Sequence, residues 1–184
     1  GLRLAKSGQW SPSLNGMRLA KGTAGKNWTA VAQAQLETIQ FHAKITRAQA
    51  IASWASPSQQ VLAELIDGRW SQALQVFEAD PSNSNEIATT LKNDGGRIMN
   101  RVDAALRVNA ADADVKAWGT LIVASKDGTS EAMNWLDQQS DTDTEHRNRN
   151  RNLVNKLEPD VSQAQSLKNH KSTNMGKSEE RLVG

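Results

Sequence analysis

Six charged residues at alternate positions, Asp141, Asp143, Glu145, Arg147, Arg149 and Arg151, are the densest concentration of reactive side chains in the 184-residue chain. In an extended segment, alternate side chains share one face and repeat every ~6.5–7 Å. That face would carry three carboxylates followed by three guanidiniums. It would complement a second copy of itself running antiparallel, and its arginines would match the spacing needed to track phosphates. In a helix the same residues give i,i+4 pairs, Asp143–Arg147 and Glu145–Arg149, worth ~0.2–0.5 kcal/mol each. The three acids also imitate the opening ligands of a calcium loop. His146, however, stands where such a loop needs its turn glycine, and Asn152 where it needs its closing Glu. A solvated linker or helix is the plainer reading, with self-association or partner contact as the functional one.

Other reactive patterns fail on chemistry. Ala20-Lys21-Gly22-Thr23-Ala24-Gly25-Lys26-Asn27 imitates a phosphate-binding loop, but Ala20 replaces its first glycine and Asn27 the magnesium-holding hydroxyl. No buried strand precedes it. His42, His146 and His170 lie far apart with no second His at helical spacing, so no histidine metal site is expected. Zero cysteines exclude disulfides, thiolate nucleophiles and cysteine-ligated metals. They suit cytosol and periplasm alike, a cytoplasmic location being slightly favoured. Asn27-Trp28-Thr29 fits an N-glycosylation acceptor in form; a buried helix start is the expected role. No nucleophile elbow or paired-carboxylate motif occurs. The chain reads as non-catalytic, with no cofactor and no metal.

Charge is unevenly distributed along the chain. Residues 1–57 carry seven bases against the single acid Glu37, a net of +6, whereas residues 58–140 carry −5 and residues 141–184 carry +1. Such asymmetry matters because local fields act over a Debye length of ~8–10 Å. Residues 2–6 and 13–21 could form short helices, but Arg3, Lys6, Arg18, Lys21 and Lys26 fall among Gly8, Pro12, Gly16, Gly22 and Gly25, which interrupt them. Residues 1–26 therefore read as a loosely structured basic arm, a candidate contact for anionic partners. Gly1 in place of Met reads as the start of a processed product or a fragment.

The elements that must position these groups are helical. Asn27 is the expected cap of a long helix over about 28–55, with Trp28, Val31, Ala32, Leu36, Ile39, Ala43, Ile51 and Trp54 near helical spacing. Ser56-Pro57-Ser58-Gln59 restarts the chain as a capping box with proline in the first turn. Val61, Leu62, Leu65 and Ile66 then form an apolar stripe that ends at Gly68. A helix over about 70–79 stops before Asp80-Pro81. Ile87 and Leu91 mark another, expected to end at Gly95-Gly96, and 97–108 a further one. Asp112 caps a segment with Val115, Trp118, Leu121 and Ile122, and Thr129 opens one with Ala132, Met133, Trp135 and Leu136. Strand signals are nearly absent.

One stretch resembles a known family. Gly68-Arg69-Trp70-Ser71-Gln72-Ala73-Leu74, followed by Phe77 and Asp80-Pro81, is similar to the second-helix half of a tetratricopeptide repeat. Ala117-Trp118, Leu121, Gly128, Ala132 and Trp135 echo it, although several spacings are one residue short and no 34-residue period exists. Small alanines that let helices approach and aromatics that fill the groove between them are the shared physics. The resemblance implies peptide or protein binding in a concave groove.

The expected fold is therefore all-α, an antiparallel helical bundle or short solenoid over 27–139. The basic arm precedes it, and a charged extension over 140–184 follows, in which Leu153, Val154 and Leu157 permit one short helix and Val161, Ala164 and Leu167 another, with disorder beyond about 168. Hydrophobic residues make up only 38% of the chain and mean hydropathy is −0.61, which fits a body with polar appendages. No run reaches the ~18–20 apolar residues of a membrane span. Of the six tryptophans, Trp28, Trp54, Trp70, Trp118 and Trp135 are expected in helix seams, and Trp10 is free to stack on a partner. The leading function is a protein-interaction module or assembly subunit, its partner another protein or a second copy. The alternative is binding to nucleic acid or an anionic surface through the basic arm.

Overall fold

The computed structural model describes residues 1–140 and 142–157. It is all-α. Among the described residues nine α-helices follow one another: α1 (Leu2–Lys6), α2 (Trp10–Ala24), α3 (Ala30–Ala50), α4 (Pro57–Asp67), α5 (Trp70–Ala79), α6 (Ser84–Leu106), α7 (Ala113–Asp127), α8 (Thr129–Asp137) and α9 (Thr144–Leu157). Asp141, the short helix expected around Val161, Ala164 and Leu167, and the segment expected to be disordered lie outside the described residues.

α7 is the central helix. Val115, Lys116, Ala117, Trp118, Gly119, Thr120, Leu121, Ile122 and Ala124 are all buried, the signature of a helix covered on every side. It packs against α5, α6, α8 and α9. Trp70, Phe77 and Leu65 join the same core, as the 70–79 pattern requires. Trp118 donates its indole N–H to the Trp70 carbonyl at 3.0 Å and meets Phe77 edge-on at 6.1 Å between centroids. Lys116 is buried and donates to the Ser140 carbonyl, tying α7 to the end of α8.

Local chemistry sets most helix ends. Ser56 accepts the Gln59 N–H and Pro57 follows in the first turn; Gly68 closes α4 at φ 77°, a left-handed conformation natural to glycine. Asp112 accepts the Asp114 and Val115 N–H groups to start α7. The cap of α3 is Thr29, whose hydroxyl accepts from Ala32 N at 3.1 Å, rather than Asn27. That helix ends at Ala50, short of the expected 55.

Tertiary packing overrides three sequence expectations. Gly95-Gly96 does not break α6, because the missing Cβ at Gly95 lets α7 approach. A Cβ there would lie 3.0 Å from Ile122 Cγ2, so close packing offsets the ~1 kcal/mol helix cost of glycine. The 1–26 segment is not a loose arm but α1 and α2. Met17 packs with Leu36 and Ile39, and Ala5, Trp10, Leu14 and Trp28 close over that cluster; Pro12 is tolerated because it falls in the first turn of α2. The helical body does not stop at 139, since Leu153, Val154 and Leu157 of α9 enter the main core.

The α1–α3 layer is fastened to the body by buried polar groups. The Asp67 carboxylate accepts from Ser11 Oγ at 2.5 Å and from Thr46 Oγ1 at 2.6 Å, joining α2, α3 and α4. Gln9 Nε2 donates to the Arg101 carbonyl, and Arg101 Nε to that of Ile66. Because α3 lies in this outer layer, no helix among the described residues lies against one of its sides.

Candidate interaction surface

α3 carries two apolar stripes, each with 3,4 spacing. Leu36, Ile39, Ala43, Thr46 and Ala50 face inward, buried apart from half-buried Thr46. Val31, Ala34, Thr38, Phe41, Ile45 and Ala48 lie on the opposite side, and all six are exposed. Val31 is 70% exposed, Phe41 63% and Ile45 42%. Ile51 and Trp54, just beyond the helix end, are also exposed, at 62% and 40%. A 21-residue helix is ~31 Å long, so the stripe is a seam of heptad type, the pattern that packs one helix along another. The single stripe expected through Val31, Leu36, Ile39, Ala43, Ile51 and Trp54 is in fact split, with Val31 exposed beside Phe41 and Ile45. The missed signal was a second 3,4 register in the same helix.

Polar residues border this seam. Glu37 and Lys44, seven residues apart and both exposed, flank one edge; Gln35, His42 and Gln49 flank the other. His42 stacks on Trp10, with ring centroids 4.4 Å apart and planes at 19°. The indole of Trp10 thus belongs to the α2–α3 seam, while Trp54, expected in a seam, is exposed.

The residues singled out from sequence are spread over the surface. Arg3, Lys6, Arg18, Lys21 and Lys26 are all exposed; Lys21 donates to Gln33 Oε1. Of these five, Arg18 lines a cavity of about 600 Å³, together with Lys44, Arg47 and Arg69 and with Asp112 and Asp114 among its walls. Arg69 pairs with buried Glu64 at 2.9 Å, and its Nη1 has no hydrogen-bond partner among the described residues. Burial raises the Glu64 pKa above its ordinary value, with Arg69 and Arg47 opposing and Asp67 reinforcing the shift.

The alternating charges do not form an extended self-complementary face. Residues 144–157 are helical, and their ion pairs run outward to other helices. Arg147 reaches Asp137 at 2.6 Å and Arg149 reaches Asp114 at 3.0 Å, in place of the expected i,i+4 partners. Asp143 accepts the His146 N–H at 2.8 Å, which holds its carboxyl below the usual range. Glu145 and Arg151 are exposed.

Among the described residues no group of three or more His, Asp or Glu side chains is placed to hold a metal. No described helix is long and apolar enough to cross a membrane. No protein-family model, curated protein or solved structure matches the chain.

Proposed function

We propose that this chain is a non-catalytic protein-interaction module or assembly subunit whose working surface is the outer face of α3. The observation that carries this reading is the exposed apolar seam through Val31, Phe41 and Ile45. Leaving these side chains in water forgoes ~1.5–3 kcal/mol for each one that burial would stabilise. A contiguous exposed patch of this kind marks a docking site on soluble proteins. A photo-crosslinking residue placed at Phe41 tests the reading in cells. A discrete adduct is expected there, with none from an exposed control position such as Asn100 on α6. No adduct at Phe41 would overturn it.

The second reading is recognition of an anionic polymer or surface through the cavity that Arg18, Lys44, Arg47 and Arg69 line. The unpartnered Arg69 Nη1 favours it. Log affinity for a single-stranded oligonucleotide should then fall with log salt by ~0.7 per phosphate contacted. Absence of binding at low salt removes this alternative.

A further inference from the structure

We propose that a second copy of this chain docks on α3, the two helices running antiparallel, an inference that rests on reading the outer face of α3 as the interaction surface. Three features identify the occupant. The first is side-chain size along the seam. In an antiparallel pair the two stripes interleave, so Val31 faces the second copy's Ala48, Ala34 its Ile45, and Thr38 its Phe41. Each bulky side chain then opposes a small one, as efficient packing of facing layers requires. A parallel pair would set Phe41 against Phe41 and Ala34 against Ala34, leaving one layer crowded and the next empty.

The second feature is charge. In the antiparallel register Glu37 of each copy lies beside Lys44 of the other, giving two symmetric ion pairs at the edge of the seam. Both side chains are exposed and sit on the same border. A parallel pair would bring Glu37 toward His42 and Lys44 toward Gln49, with no carboxylate for Lys44. Edge charges of this type set helix orientation.

The third is symmetry. The register that aligns these layers and charges has its two-fold axis between residues 39 and 40, at the middle of α3 (Ala30–Ala50). The helices therefore overlap along their whole length, and the interface is closed, with the same patch on both copies. An apolar patch on a single helix, ~300–600 Å², is smaller than the ~800 Å² per partner of a standard interface. Association is accordingly reversible and depends on concentration.

Sedimentation equilibrium of the full chain is the first test. The average mass should climb from 20.1 kDa toward twice that value as concentration rises from about 10 μM to about 1 mM, the range of a small interface. Phe41→Asp should abolish the rise without altering the circular dichroism or melting temperature. Glu37→Lys and Lys44→Glu should each weaken dimerisation by about 3- to 30-fold, the double exchange should restore it, and the two single variants mixed should prefer each other.

Orientation is read separately in this cysteine-free chain. A mixture of Val31→Cys and Ala48→Cys chains should be joined by a short thiol cross-linker, while Ala48→Cys alone should not, because its two thiols would stand about 26 Å apart. Efficient cross-linking of Ala48→Cys alone overturns the antiparallel arrangement, and a constant mass of 20.1 kDa across the concentration range overturns self-docking. A photo-adduct at Phe41 with a different protein, from a chain that stays monomeric, rejects the second copy but leaves the interaction reading intact. No adduct and no mass increase reject both.

Discussion

Gly119 on α7 and Trp135 on α8 share one volume: the indole ring fills the place where a side chain at 119 would begin. An ideal Cβ at 119 would lie 2.1 Å from Trp135 Cη2 and 2.6 Å from Cζ3, distances that no relaxed structure tolerates. The glycine is what lets α8 lie tightly against the central helix, and the half-buried indole seals the resulting seam. Gly119→Ala should therefore destabilise the protein by ~1–3 kcal/mol through overpacking, or several degrees in Tm. Adding Trp135→Leu should recover part of the loss, because the shorter side chain vacates the space. Thermal unfolding of the two variants checks this; a neutral Gly119→Ala would show that the ring moves aside freely.

Trp118 couples α7 to the start of α5 through its bond to the Trp70 carbonyl. Trp118→Phe should lose ~1–3 kcal/mol, since it removes the indole's hydrogen bond and leaves part of its buried volume empty. Trp70→Ala and Phe77→Ala should each cost ~3–5 kcal/mol, the usual loss for deleting a buried aromatic. Urea denaturation gives each value directly, and an unchanged midpoint for Trp70→Ala would contradict its placement in the core.

Asp67 should hold the α1–α3 layer more than it holds the body. Its carboxylate satisfies Ser11 and Thr46 from two different helices, and bonds to a charged group contribute ~1.5–3 kcal/mol each. In Asp67→Ala, native-state hydrogen exchange should quicken in α2 and α3 while the amides of α7 keep their protection. Equal acceleration in both layers would show that they open as a single unit.

Glu64 introduces a pH dependence of definite sign. Burial, the dominant influence, raises its pKa above the ordinary 4.5, against the pull of Arg69 and Arg47. The folded chain thus holds this proton more tightly than the unfolded one. The contribution is fully present below pH 4.5 and is lost as pH rises through the folded-state value. Glu64→Gln cannot ionise, so its stability relative to the parent chain should improve as pH increases across that window. Melting temperatures of both proteins measured from pH 4 to 8 test the sign; a gap that stays constant would mean that the ion pair with Arg69 cancels the cost of burial.

Capping chemistry was legible residue by residue. Ser56-Pro57, Gly68 and Asp112 mark helix ends because the groups that satisfy the terminal N–H and C=O lie within a few residues of them. Composition was a poorer guide to residues 1–26 and 140–157. Short helices are readable there, but their glycines and charges place them outside the body, whereas Met17 and Leu153 are buried by neighbours distant in the chain. The alternating acids and arginines illustrate the same limit. Arg149 finds Asp114, 35 residues away, a pairing that local spacing cannot reveal.

Sequence alone therefore determined the all-α class, several helix boundaries and the burial of Trp70 and Trp118, because these depend on hydrogen bonds and periodicity within one helix. Tertiary structure alone decided that Gly95 sits inside a helix and that α9 belongs to the core. It also decided which of the two apolar stripes of α3 is covered. Both stripes have helical spacing, and a helix has no local means of choosing between them. The choice is made by where α2 and α4 lie, and their placement over Leu36, Ile39 and Ala43 leaves Phe41 and Ile45 facing outward.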